Sequence, residues 1–313
     1  MRSFLLTALL PLVLFADAHI FVFHRFGDAR HASTSTAIET LRAEFDYLKT
    51  NGYKVIPLSR LAKALKEGEP IDDKWVVLTI DDSYKSFYEN GLPLFKAYGY
   101  PFTLFVYVAA ADKNYGDFMT WDQIRDTAQY GELGLHGYGH RHECHLEPYM
   151  LKDDTDRGLR SFAKELRRVP RYYAYPYGEY NPEVKAGIAA HGFELILNQN
   201  SGAVNANSDP HDLDRTALTG DNLIAQKLKI ERLDTEWIAP LRWPKDGRLK
   251  EIHAKIAPTY RTAEYYISGH EWVRVPVENG EIRVKTDVRL ELPRSRVFIR
   301  VGQKQESIIL VKE

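Results

Sequence analysis

The sequence lacks the features of a disulfide-stapled, membrane-spanning or nucleic-acid-binding protein. Cys144 is its only cysteine, which excludes an intramolecular disulfide framework. Lys and Arg together number 42 against 43 Asp and Glu, so no excess of positive charge favours nucleic acid, and we expect none as a partner. After residue 18, no apolar run approaches the roughly eighteen residues of a membrane span. We therefore expect no transmembrane segment in the mature chain and a weakly charged or neutral substrate.

The N-terminal residues have the pattern of a secretory signal peptide. Arg2 precedes an apolar run from Phe4 to Phe15, and Ala16-Asp17-Ala18 then matches the A-x-A pattern of a cleavage site. We predict that residues 1–18 are removed and that the mature protein is exported, to the periplasm or the medium. The alternative is that this apolar run forms a first core strand or helix.

The next two hundred or so residues have the alternating pattern of an α/β fold. Between the apolar runs lie segments of helical periodicity, such as Ile38, Leu41, Phe45 and Leu48 on one face. About seven strands fit a barrel or a doubly wound sheet, and either fold would place catalytic groups at the carboxyl ends of the strands. The predicted strands are Ile20–Phe23, Tyr53–Ile56, Trp75–Ile80, Phe102–Val106, Glu132–Leu135, Arg171–Tyr175 and Phe193–Leu197.

The last hundred residues favour antiparallel strands. Arg283–Leu292 alternates polar with mostly apolar residues, Val297–Val301 and Ile308–Val311 are further strand candidates, and Asn279-Gly280 supplies a turn. A chain of 313 residues exceeds the usual single-domain length. We predict a main domain over residues 19–224 and a smaller accessory β domain over residues 225–313.

Two acidic residues follow the most apolar predicted strand. Trp75–Ile80 runs directly into Asp81 and Asp82, which places two carboxylates at a strand end. Neighbouring side chains of an extended strand face opposite sides, so both reach one site only if the chain bends there. That difference in position predicts different roles, one as a metal ligand and one as a base. Asp72-Asp73 is a similar pair but fits a solvated turn.

Two histidines follow a second predicted strand with the spacing of metal ligands. His136 and His140 are four residues apart, and with one carboxylate they would form a three-ligand site open to water and substrate. Gly137 and Gly139 disfavour a helix, which argues against the H-E-x-x-H metalloprotease arrangement. Because more histidines follow closely, the alternative is a His-rich surface loop that binds metal adventitiously.

Three motifs together resemble those of the polysaccharide deacetylases, the NodB-like carbohydrate esterase family four. The three motifs are Thr79-Ile-Asp-Asp-Ser83, His136-x-x-x-His140 and Ala174-Tyr-Pro-Tyr-Gly-Glu179. They follow one another in the same order as in that family. The segment Thr120–Ile124 is similar to the corresponding segment in the branch of the family that contains the poly-N-acetylglucosamine deacetylases of biofilm matrices. The resemblance covers roughly residues 19–202 and implies a distorted (β/α) barrel.

The resemblance also implies a role for each matching residue. Asp81 would be the catalytic base, and the ligands of one divalent metal ion would be Asp82, His136 and His140. We expect Zn²⁺, although such donors also accept Co²⁺ or Ni²⁺. Phe21–Asp28 resembles a permuted element that carries the family's general acid, here His24. The substrate-binding residues would be Pro176, Tyr177, Gly178 and Trp121, with the backbone N–H of Tyr177 holding the oxyanion.

Some positions depart from the usual motifs. Ser83, Gly137 and Arg141 replace commoner residues, and none of them is an implied ligand or base. The segment before Pro176 lacks the Arg that many members use to tune the catalytic Asp, an absence that the biofilm branch tends to share. The expected activity is hydrolysis of N-acetyl groups on an extracellular or cell-wall polysaccharide. The alternatives are an O-acetyl or peptidoglycan deacetylase, and a non-catalytic glycan-binding protein.

Overall fold

The computed structural model describes residues 17–220 and 224–312, and nearly all of the predicted signal peptide lies outside these ranges. No helix within them is long and apolar enough to cross a membrane. The first part of the chain forms a mainly parallel strand system surrounded by helices. Its strands are β1 His19–Phe23, β2 Arg25–Phe26, β3 Ser35–Thr36, β4 Lys54–Val55, β5 Trp75–Ile80, β6 Thr103–Val106, β7 Glu132–Leu135, β8 Tyr172–Ala174, β9 Leu195–Leu197 and β10 Thr216–Ala217.

Eight of these strands form one parallel sheet, and all seven predicted strands belong to it. The order is β10, β1, β5, β6, β7, β8, β9, with β4 also pairing with β5. The strands β1 and β5 are buried along their whole length, as expected for parallel strands covered on both faces. Their residues alternate between two clusters. Val76, Leu78 and Ile80 pack in one apolar cluster, whereas Val77 packs in the other.

A segment that the sequence pattern did not predict closes the sheet into a barrel. Leu213 pairs in parallel with Leu197 at the end of β9, while Thr216 of β10 pairs with Phe21 of β1. The strand β10 is only two residues long and lies in a polar stretch, so it has no periodic apolar signal. The predicted distorted (β/α) barrel is confirmed, with this short strand as the addition.

The helices cover the barrel between its strands. The first is predicted well, because its apolar stripe of Leu41, Phe45 and Leu48 is buried. The helices are α1 Ile38–Thr50, α2 Leu58–Glu67, α3 Leu92–Tyr98, α4 Val108–Asp112, α5 Trp121–Thr127, α6 Pro148–Leu166, α7 Pro182–Ala189 and α8 Ile224–Lys227. A π-helical turn, Phe87–Gly91, leads into α3.

The C-terminal part folds into two further sheets around their own apolar core. One sheet has the order β11, β18, β17, β14, β15, and the other β12, β13, β16. Ile252, Ile282 and Val297 are fully buried in this core. The strands are β11 Glu231–Arg232, β12 Glu236–Ala239, β13 Arg248–Lys255, β14 Thr262–Ile267, β15 Val273–Pro276, β16 Glu281–Arg289, β17 Arg294–Val301 and β18 Lys304–Val311. The additional C-terminal β structure is confirmed; the domain boundaries stay a prediction.

Candidate active site

The two adjacent carboxylates diverge because the backbone turns directly after β5. Asp82 has φ 71° and Ser83 has φ 56°, conformations that non-glycine residues rarely adopt. Asp81 keeps the alternation of the strand and lies on the same side as Thr79, since one arginine contacts both side chains. The bend that the sequence argument required is therefore present, and the two side chains occupy different positions.

Arg215 is that arginine, and sequence reasoning missed it. It is fully buried, with Nη1 donating to Asp81 Oδ1 at 2.8 Å and Nη2 donating to Asp81 Oδ2 at 2.9 Å. Its Nε donates to the carbonyl of Asn198, which fixes the guanidinium in place. Burial alone would raise the pKa of Asp81, but the Arg215 cation offsets this, and the pKa lies below its usual value. Arg215 thus provides the contact that the motif before Pro176 lacks.

Three potential metal ligands converge beside this pair. One donor atom each from Asp82, His136 and His140 lies within 4.8 Å of the other two. Asp82 Oδ1 is 2.8 Å from His140 Nε2 and 3.3 Å from His136 Nε2. The structure therefore brings together the three residues that the resemblance implied as ligands.

The chemistry of these donors fits a divalent cation. His136 donates its Nδ1–H to the carbonyl of Ala174 at 2.7 Å, which in the neutral ring leaves the Nε2 lone pair facing Asp82. Such a bond to the far nitrogen is typical of metal-ligating histidines. Asp82 Oδ1 is buried and accepts no well-formed hydrogen bond from the described residues, despite the nearby imidazoles. Two histidines and one carboxylate match the ligand set of catalytic zinc sites.

The carboxylates also control the charge of the histidines. Burial lowers the pKa of His136, but Asp81 and Asp82 outweigh this effect and raise it. Burial raises the pKa of Asp82, yet the close approach of the His136 and His140 imidazoles holds it well below its usual value. The site is therefore a concentration of negative charge that attracts protons or a cation.

A buried aspartate from α6 fixes the loop between the two histidines. Asp154 accepts hydrogen bonds from the backbone N–H groups of Tyr138 and Gly139, at 2.8 Å and 3.1 Å. A Cβ at position 139 would lie 2.8 Å from Asp154 Oδ1, so the close approach requires glycine. His140 itself has φ 49°. The loop is therefore held in an unusual conformation that turns His140 towards Asp82.

Three of the residues predicted to bind substrate, Pro176, Tyr177 and Gly178, lie in one loop, which we call the Tyr177 loop (residues 175–179). A second loop, which was not predicted to bind substrate, packs against it, and we call it the Gln199 loop (residues 198–201). Tyr177 has φ 61°, and its ring centroid is 4.5 Å from that of His140. The ring of His142 also stacks on the ring of Tyr177, with 4.1 Å between the centroids. The Nδ1 atom of His142 lies 2.7 Å from Glu179 Oε2. His142 thus packs against the site and is not a free surface histidine.

The two loops touch each other beside the carboxylate pair. At Gly178, which has φ 67°, an added Cβ would lie 2.4 Å from the Cβ of Gln199. Gln199 in turn points its Nε2 towards Asp81 Oδ2 at 3.4 Å. The two loops are therefore closely packed, and the Gln199 loop carries a donor to Asp81.

His24, the predicted general acid, follows β1 at the same end of the barrel. Its Nδ1 is buried without a hydrogen-bond partner among the described residues. Burial lowers its pKa, and the charges of Asp82 and Asp81 oppose that shift, which locates the ring near the carboxylate pair. His24 is therefore not anchored at Nδ1 by a hydrogen bond to the described part of the chain, as a histidine with a purely structural role at a strand end would be.

Trp121, the remaining residue predicted to bind substrate, belongs to the apolar core. It begins α5, is only 9% exposed, and its Nε1 donates to Asp112 at 2.9 Å. These contacts are those of a packed core side chain, and its substrate-binding role stays a prediction. Pro176, by contrast, is buried within the Tyr177 loop.

Comparisons with known proteins agree with the motifs. A family model described as polysaccharide deacetylase matches residues 68–196. The poly-β-1,6-N-acetyl-D-glucosamine N-deacetylase of Escherichia coli K12 is 28% identical over 222 residues, covering 57% of this chain and 33% of that protein. The match thus spans about a third of the length of that relative. The protein of the same name from Staphylococcus aureus MSSA476 is 23% identical over 224 residues, covering 66% of this chain and 75% of that protein.

A solved structure supports the same assignment at the level of the fold. The Streptococcus pyogenes deacetylase PplD, determined in complex with acetate, superposes with a TM-score of 0.63 at 20% identity. The superposition covers 68% of this chain and 99% of PplD. Residues 68–196 carry the match to the polysaccharide deacetylase family, and the superposition shows that this part of the molecule has the corresponding fold.

Proposed function

We propose that this protein is a metal-dependent hydrolase that removes N-acetyl groups from an exported polysaccharide resembling poly-N-acetylglucosamine. The observation that carries the proposal is the convergence of Asp82, His136 and His140 within 4.8 Å, next to a separate buried carboxylate, Asp81. One group of donors is suited to hold a cation, and the neighbouring carboxylate is free to accept a proton. Metal-assisted amide hydrolysis uses both.

Asp81 is the proposed general base. Its bidentate contact with Arg215 favours the ionised form, which is the form that accepts a proton from water. The same contact fixes the direction of the carboxylate, so that its remaining electron pairs face the attacking water. As the water oxygen bonds to the acyl carbon, its proton passes to Asp81.

Asp82, His136 and His140 would hold the divalent ion. When bound, that ion would lower the pKa of a water molecule and polarise the acyl oxygen. The residues around it then determine where the substrate lies. The second nitrogen of His136 is engaged by Ala174, which keeps the ring pointed at the ion position.

Tyr177 and His24 complete the proposed reaction. The backbone N–H of Tyr177 would donate a hydrogen bond to the developing oxyanion. A donor that is already held in place before the reaction stabilises this charge more effectively. His24 would then give its proton to the nitrogen of the departing amine while the C–N bond breaks. This role needs the protonated ring, whose pKa burial lowers and the charges of Asp82 and Asp81 raise.

The substrate class rests on the relatives. The E. coli and S. aureus proteins are named for deacetylation of poly-β-1,6-N-acetyl-D-glucosamine, and we extend that substrate to this chain as a proposal. Action outside the cytoplasm is proposed from the basic and apolar pattern of residues 1–18. Identification of the mature N-terminus by mass spectrometry tests that part.

Acetate release tests the proposed function. We expect the purified protein to release acetate from β-1,6-linked N-acetylglucosamine oligomers, to lose this activity with a chelator, and to regain it with Zn²⁺ or Co²⁺. Acetylated xylan and peptidoglycan fragments serve as parallel substrates. Release from either of these alone would change the substrate, whereas binding of oligomers without acetate release from any would make the protein a glycan binder.

A further inference from the structure

Two arginines of the C-terminal sheets reach the loops of the active site. Arg294, at the start of β17, donates from Nη1 to the carbonyl of Tyr177 at 3.1 Å. Arg296, two residues further on, donates from Nη2 to the carbonyl of Gln199 at 2.7 Å. Residues two apart share one face of a strand. One strand face therefore contacts both the Tyr177 loop and the Gln199 loop.

The position of Arg296 is unfavourable for stability alone. Its Nε is buried without a hydrogen-bond partner among the described residues. Burial lowers the pKa of its guanidinium, and the neighbouring Arg294 cation lowers it further. Groups that break the usual rules of burial are expected where they serve a functional site. The hydrogen bond from Arg296 to the carbonyl of Gln199 connects this cation to the candidate active site.

Neighbouring contacts support the same attachment. Gln305 of β18, which pairs with Arg300 of β17, donates to the carbonyl of Ser201 at 3.0 Å. Near the end of the chain, the carbonyl of Lys312 accepts a hydrogen bond from His145 at 2.7 Å. The C-terminal sheets are thus bonded to the Tyr177 and Gln199 loops and to the segment after the metal-ligand pair.

We propose that Arg294 and Arg296 are positioning residues that hold the Tyr177 and Gln199 loops in the geometry needed for deacetylation. The C-terminal sheets then contribute no reacting group, but the rate of deacetylation at the active site of the barrel depends on them. Because a displacement of about 1 Å at a reacting group can cost 10²-fold in rate, loosening these loops should lower kcat strongly. This inference rests on the proposed function.

The test compares three arginines on one face of β17. Arg296→Ala and Arg294→Ala remove the contacts to the loops, whereas Arg300→Ala is the matched control, because Arg300 pairs with Glu264 within the same sheet. Amide hydrogen exchange of the two loops is measured together with kcat, KM, metal content and Tm. Exchange does not depend on activity, and acetate release by the unmodified protein separately tests the proposed function.

We expect faster exchange at Gly178, Glu179 and Asn200 and a kcat about ten- to a hundredfold lower in both loop variants, with metal content unchanged. Arg300→Ala should match the unmodified protein in both. Arg296→Lys keeps one donor for Gln199 and should recover part of kcat, which covers the case that Arg296→Ala does not fold. Unchanged exchange, unchanged kcat in folded variants, or an equal loss in Arg300→Ala would each overturn the inference.

Discussion

The barrel and the C-terminal sheets contain the same ion pair in opposite surroundings. In the barrel, Arg215 binds both oxygens of Asp81 with neither side chain exposed. In the C-terminal sheets, Arg248 binds both oxygens of Asp287, but these side chains are 41% and 68% exposed. A buried pair is costly to assemble and more costly to break, whereas water weakens both effects at the surface. The difference indicates that the Arg215–Asp81 pair is kept for the active site, whereas the Arg248–Asp287 pair is an ordinary surface ion pair.

Backbone conformation differs between the two regions in the same way. Seven non-glycine residues of the described chain have positive φ, and four of them, Asp82, Ser83, His140 and Tyr177, surround the candidate active site. In the C-terminal sheets the only described example is Asn279, in the tight turn before Gly280. Left-handed residues cost energy and persist where surrounding contacts hold them. At the candidate active site such conformations orient Asp82, His140 and Tyr177, whereas at Asn279 the conformation reverses the chain.

The largest expected effect distinguishes the histidines that face Asp82 from the one that packs nearby. His136→Ala and His140→Ala should each remove the bound metal and reduce acetate release to background, because two remaining donors hold the ion poorly. His142→Ala should keep the metal, since its Nδ1 is engaged by Glu179. Metal analysis of the purified variants decides. Retention of a full equivalent in His140→Ala would remove that residue from the ligand set.

The next effect concerns proton donation at the end of β1. His24→Ala should lower kcat about 10²- to 10⁴-fold on an N-acetyl substrate, with metal content intact. The loss should be smaller on an activated aryl ester, because a weakly basic phenolate departs without a proton. Parallel kinetics on both substrates provide the check. Equal losses would indicate positioning, and normal turnover of the amide would exclude His24 from the mechanism.

The Arg215–Asp81 and Arg248–Asp287 ion pairs can each be broken by replacing the arginine. Arg215→Met should lower the free energy of unfolding by about 3 kcal/mol or more, because it leaves the Asp81 charge buried and unpaired. Arg248→Met should change stability little, because water replaces the lost partner. Adding Asp81→Asn to Arg215→Met should restore stability but not activity. Denaturant titration measures all three, and equal losses at both arginines would refute the contrast.

An effect that depends on pH is expected at Glu44, a buried carboxyl group of α1. Burial raises its pKa to about 8, from 4.5. Both states are protonated below about pH 4.5; above it only the unfolded state releases the proton, so stability falls until about pH 8, by up to about 1.4 kcal/mol per unit. Glu44→Gln should remove this slope. Thermal unfolding of both proteins across this range gives the test, and parallel curves would contradict it.

Patterns local in sequence predicted much of this molecule. The strand Trp75–Ile80 and the histidine pair carry their signals in a few consecutive residues. Arg215 was missed because its partner lies 134 residues away and β10 is too short for periodicity. The leucines at 213 and 218, which flank this polar segment, were the available signal. The contacts of Arg294 and Arg296 depend on how two regions pack, which no local pattern encodes.

The proposed mechanism requires different roles for two adjacent carboxylates, and isosteric substitution tests this requirement most directly. Asp81→Asn and Asp82→Asn are purified, and their metal content is measured alongside acetate release from N-acetylglucosamine oligomers. We predict that Asp82→Asn loses both the metal and the activity, whereas Asp81→Asn keeps the metal and loses only the activity. Loss of the metal from Asp81→Asn with its retention in Asp82→Asn would contradict the account.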